Sequence, residues 1–151
     1  MKTTWLSAIE WLAVLRIGLG LWWFESFRHK NLGAWLKRGA GISWGKSVAE
    51  KHKWGFVKST FDSVVAPHPK SMAYVVVFGE LAVGLGLIAG FLTPIAAIAA
   101  ILLNIMYFIL MISDWAEQGQ NLMMILAAVV VLGSHAWNVW SIDHLLHIFG
   151  A

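Results

Sequence analysis

Four apolar runs of about twenty residues divide the chain, at about 5–24, 71–92, 94–112 and 122–140. A helix of about 20 residues is what crosses the hydrocarbon core of a bilayer, and helices are one of the two backbone arrangements that leave no polar group unpaired in lipid. Composition agrees: 59% of residues are hydrophobic and 13% charged, with a mean hydropathy of +0.70, against about 45–50% and about 25% in soluble domains. The first run ends in Leu21-Trp22-Trp23-Phe24, not in the small residues of a cleavage site, and is read as a retained span. Trp22, Trp23, Trp115, Trp137 and Trp140 close or follow the runs as an aromatic belt would. Short connections after the second and third runs make neighbours antiparallel. The expected fold is an all-α integral membrane protein, a single domain over 1–151. It is a four-transmembrane-helix antiparallel bundle with both termini on one side.

The stretch from 28 to 70 breaks this pattern. It holds nine of the eleven Lys and Arg residues against Glu50 and Asp62 alone, a net charge of +7, while the rest of the chain carries −4. The overall +3 and pI near 9.4 therefore describe one local segment. Nucleic-acid binding is not expected, because such proteins display their charge on a solvated surface and not among long apolar runs. Trp54, Val57, Phe61 and Val64 recur at helical spacing within the segment, which predicts an amphipathic helix lying on the membrane surface or packed on the bundle. Anionic lipid or a sulfur anion is the expected partner of its charge.

Arg16, Glu80 and Asn104 each fall near the middle of an apolar run. An ionisable group at that depth costs about 2.5–3.5 kcal/mol on insertion scales, so it faces the bundle and finds a partner. The expectation is an Arg16–Glu80 pair with Asn104 beside it. That pair either fixes helix register or lines a pocket for a quinone head group, where Glu80 would accept or pass a proton. Asn121 is expected to cap the fourth helix. Gly84, Gly86 and Gly90 on the second helix, with Gly18 and Gly20 on the first, predict close packing of those two helices. The chain has no cysteine, which excludes disulfides, thiolate catalysis and cysteine-held clusters. His144 and His147 lie one turn apart, but two histidines alone make no metal site. Any redox chemistry has to come from a bound cofactor or a partner.

Several landmarks in order resemble the DoxX/DoxD family. They are Leu15-Arg16-Ile17-Gly18-Leu19-Gly20-Leu21-Trp22-Trp23 followed by Lys30, then Gly79-Glu80 running through Gly84, Gly86 and Gly90 to Thr93-Pro94. Leu103-Asn104-Ile105-Met106-Tyr107, Gln120-Asn121-Leu122 and Trp140-Ser141-Ile142-Asp143 complete the set. The family consists of small four-helix membrane proteins, one of which is similar to the membrane subunit of thiosulfate:quinone oxidoreductase. The resemblance implies thiosulfate oxidation with electrons passed to membrane quinone, a second protein subunit, and a prokaryotic cytoplasmic membrane. Arg16, Glu80, Asn104 and Asn121 match its polar pattern, with Glu80 and Arg16 as the implied catalytic pair. The competing expectation is a non-catalytic accessory subunit of a larger respiratory or photosynthetic membrane complex.

Overall fold

The structure is a computed structural model and describes residues 5–149. Among the described residues it is built from helices and turns. Four are long: α1 (Ala8–Arg28), α4 (Pro69–Ala89), α5 (Thr93–Leu110) and α6 (Trp115–Gly133). Between α1 and α4 lie a π-helical turn (Gly33–Lys37), α2 (Ala40–Glu50), and α3 (Gly55–Thr60) running into a second π-helical turn (Phe61–Val65). A short α7 (Ile142–Leu145) follows α6. The helices α4, α5 and α6 are long and apolar enough to cross a membrane.

Local chemistry sets where these helices begin and stop. Ser7 and Glu10 form a capping box at the start of α1, with Ser7 N and Oγ both 2.7 Å from Glu10 Oε2. Pro69 occupies the first turn of α4, where its missing N–H is harmless, and Gly90 ends that helix at φ 63°. Asp114 caps α6 by accepting from Ala116 N and Glu117 N. Asn121 is therefore not the cap. It sits inside α6 and donates to Glu117 O at 2.7 Å, because Asp114 starts the helix seven residues before the apolar run does. At the other end α6 stops at Gly133, and the residues up to Trp140 form turns.

The bundle closes as a ring in which α1 packs on α4, α4 on α5, α5 on α6 and α6 on α1. Glycine fixes the α1–α4 seam. A Cβ on Gly20 would lie 2.7 Å from Ile88 N, and one on Gly84 would lie 2.8 Å from Phe24 N. Gly86 instead meets Ala96 of α5. Ala96, Ala97 and Ala100 on α5 and Ala128 on α6 are buried in the same core as Leu19, Trp23, Val83 and Leu87, so short side chains let these helices approach as well. Two tryptophans expected in the belt are interior: Trp23 and Trp137 are 2% and 8% exposed.

The surface helix expected at 54–64 is only half realised. Val57 is buried and Phe61 packs against Gly45 of α2, but Trp54 and Val64 are exposed. The π-helical turn inserts an extra residue into the spiral, which rotates Val64 off the face that Val57 and Phe61 share.

A polar cavity at one end of the bundle

The expected Arg16–Glu80 pair does not form, and each residue anchors a different end of the bundle. Contacts across the seam explain why. Glu80 receives a hydrogen bond from Ser26 Oγ at 3.1 Å, and Ser26 is ten residues beyond Arg16 on α1, about 15 Å along a helix axis. Arg16 instead lies beside Gly90, at the far end of α4. The two sit near the middles of their own helices, but α1 and α4 are slid past one another.

Arg16 is fully buried and holds the chain's last turns. Its Nη1 donates to Ala136 O (3.0 Å) and Val139 O (3.3 Å), and its Nη2 to Trp140 O (2.6 Å). Asp143, also fully buried, accepts from Leu92 N and Thr93 N at 2.7 Å each, and its own N–H donates to Gly90 O at 2.8 Å. Ser141 Oγ caps α7 by accepting from His144 N at 3.0 Å. Leu92, His135 and Trp140 all carry left-handed φ near 50° at this end. Such backbone persists only where the surroundings over-determine it, and the Arg16 and Asp143 bonds supply that constraint. Arg16 and the Ser-Ile-Asp sequence thus form a structural clasp over the α4–α5 turn.

Glu80 lies in the other polar cluster. Its carboxylate is almost fully buried and accepts from Tyr107 Oη at 2.7 Å, from Ser26 Oγ, and from the Lys30 ammonium in a close ion pair. Lys30 also donates to Ser26 O and Oγ at 3.1 Å. Its ammonium stands 5.1 Å from the ring centre of Trp35, within cation–π range. In the sequence Lys30 stood as one cation of the basic segment and as a landmark of the family resemblance, not as a site residue. Its position two residues past the end of α1 was the available signal, since a flexible four-carbon stem there reaches back along the bundle.

Beside this cluster is a cavity of about 210 Å³. Trp22, Trp23, Trp35 and Trp44 wall it, with Glu80, Lys30, Asn104, Tyr107, Asn121 and Glu117 among its polar lining. Asn104 and Asn121 each commit one N–H to a carbonyl of their own helix, Ala100 O and Glu117 O. Trp23 stacks on Tyr107 with ring centres 6.5 Å apart, and its indole N–H is buried without an acceptor. Three of the four residues expected to bind a ligand, Glu80, Asn104 and Asn121, therefore share one cavity, while Arg16 stands outside it.

No curated protein and no solved structure matches the chain significantly. The DoxX sequence model does match, over residues 11–113, about two thirds of the chain, running from the first turn of α1 to just past α5. That stretch contains Arg16, Lys30, Glu80, Asn104 and Tyr107, and the chain belongs to the DoxX family.

Proposed function

We propose that the chain is a multi-pass subunit of a prokaryotic cytoplasmic membrane in which α1 spans beside α4, α5 and α6, and that its cavity binds the ring of a membrane quinone. The observation carrying this reading is the Glu80–Tyr107–Lys30 cluster set against tryptophan walls. A volume of about 210 Å³ suits a single ring, being below the roughly 300–1,000 Å³ of pockets for drug-sized ligands. Asn104 and Asn121 each spend only one of two amide N–H groups within their own helices, so each keeps a donor that a quinone carbonyl would accept from.

Charge argues against thiosulfate in the same cavity. Glu80 and Glu117 face a single lining cation, Lys30, which Glu80 already neutralises. A dianion placed there would meet net negative charge beside a buried carboxylate, whereas a neutral ring would not be repelled. Sulfur-compound oxidation belongs on a second subunit, which also supplies the electrons.

When bound, a quinone takes up two electrons from that partner and two protons to become the quinol. This chain's contribution is to orient and to manage protons. Asn104 and Asn121 each keep a second amide N–H as its hydrogen-bond donors on the cavity lining, and the aromatic walls bracket the ring. Tyr107 Oη holds a proton against Glu80 Oε1, and Lys30 keeps the carboxylate's charge balanced. A positioned carboxylate and hydroxyl of this kind contribute by general acid–base transfer.

Titrating the purified protein with a short-tailed quinone tests the reading through tryptophan fluorescence. The expected result is saturable quenching, weakened about tenfold or more in Asn104→Leu, for which losing one good hydrogen bond at about 1.4 kcal/mol suffices. Thiosulfate should not compete. Quenching that rises linearly without saturation and is the same in the variant would refute the quinone site. Saturable binding displaced by thiosulfate would refute the charge argument.

A further inference from the structure

The segment between α1 and α4 turns its charge outward. Lys37, Arg38, Lys46, Lys51, Lys53 and Lys58 are all exposed, and none forms an ion pair with a described carboxylate. Glu50 and Asp62 are the segment's own acids, too few to neutralise it. Large rings lie exposed among these cations: Trp44 at 51%, Trp54 at 43% and Phe56 at 60%. Trp54 and Phe56 stack on one another with ring centres 5.7 Å apart. From Lys51 to Lys58, three lysines and two exposed aromatic rings interleave within eight residues.

The depth of this surface is fixed by the bundle. His52 Nε2–H donates to Ile109 O at 2.9 Å, and Trp54 N–H donates to His52 Nδ1 at 3.0 Å. Both bonds call for the same neutral tautomer, so the histidine acts as a strut between the segment and the last turn of α5. Ile109 lies near the end of an apolar helix able to cross a membrane. The strut therefore holds Trp54 and Phe56 at the level where hydrocarbon meets headgroups, the depth that tryptophan favours. Lysine stems reach from there to the phosphates.

We propose that α2, α3 and the loop joining them form a docking platform for the headgroups of anionic phospholipids, with Trp54 and Phe56 set into the interface and Lys51, Lys53 and Lys58 on the phosphates. Exposed rings gain by leaving water for the interface, and hydrated ammoniums gain attraction from anionic phosphates, so an anionic interface favours both. The platform also reaches the cavity, because α2 supplies Trp44 to its wall. Headgroup docking thus steadies one side of that cavity whatever ligand the cavity takes.

The test uses the full chain, delipidated in detergent and offered phosphatidylglycerol or phosphatidylcholine, with bound lipids counted by native mass spectrometry. Phosphatidylglycerol should be retained preferentially, and the variant K51Q/K53Q/K58Q should lose that preference by roughly fivefold per lysine removed. Its thermal midpoint should stay unchanged, since all three side chains are exposed and unpaired. A second measurement places a polarity-sensitive fluorophore on Ser59→Cys, the sole thiol because the chain has no cysteine. In nanodiscs its emission should be quenched by brominated acyl chains more strongly when phosphatidylglycerol is present. Equal retention of the two lipids, a preference surviving in the triple variant, or displacement of the lipid by millimolar thiosulfate at constant ionic strength would each overturn the proposal.

Discussion

Substituting Glu80 together with each of the two cations proposed for it measures which one it is paired with. The structure gives Lys30 as the partner, with 12% of its side chain exposed against 2% for Glu80. Removing one member of a buried pair strands the other and costs about 3–5 kcal/mol. Lys30 keeps the Ser26 oxygens and Glu80 keeps Tyr107 and Ser26, so each single variant, Glu80→Gln or Lys30→Gln, should lie at the lower end, about 3 kcal/mol. The double variant strands neither charge and should lose only about 4 kcal/mol, a coupling of about 2 kcal/mol, within the range for residues in direct contact. Arg16→Gln combined with Glu80→Gln should instead be additive to within about 0.5 kcal/mol, as expected for groups more than about 10 Å apart with no shared partner. Reversible unfolding in mixed micelles of dodecyl maltoside and dodecyl sulfate, followed by circular dichroism, reads all five variants. A coupling above about 1 kcal/mol between Arg16 and Glu80, or below about 0.5 kcal/mol between Lys30 and Glu80, would refute the helix register on which the site rests.

Two further substitutions probe the scaffold. Gly84→Ala should lower stability by about 1–3 kcal/mol through overpacking against the Phe24 backbone, whereas Gly79→Ala, where an added Cβ meets nothing within 4 Å, should lose none; equal effects in micelle unfolding would contradict the seam. Asp143→Ala removes both acceptors from Leu92 N and Thr93 N and should lower the thermal midpoint well below that of Asp143→Asn, which keeps one carbonyl oxygen. Asn matching Ala would show that the clasp acts through charge alone.

Much of the helical layout was legible because apolar runs of about twenty residues leave a chain few options. What sequence could not supply was the sliding of one helix on another. Arg16 and Glu80 each sit mid-helix, so depth counted along the sequence made them neighbours. The offset is decided by where Gly20 and Gly84 let backbones touch, a contact that hydropathy does not encode. Glu80, Asn104 and Asn121 were found because a polar side chain in an apolar run stands out. Lys30 and Tyr107 were missed as site members for the opposite reason: one hid among other lysines, and the other has an amphipathic ring that suits a membrane boundary as well as a site. Trp23 and Trp22 are adjacent and identical, yet one faces the core and the other is half exposed; only the helix's rotation separates them.

The clasp also sets a schedule for synthesis. Arg16 emerges early, but the carbonyls it binds lie 120–124 residues later. At roughly 5–20 residues per second, its guanidinium waits on the order of 6–25 s before its acceptors exist. Throughout that interval the guanidinium lacks the carbonyls that hold it in the folded chain, and a chain halted before residue 136 never gains them.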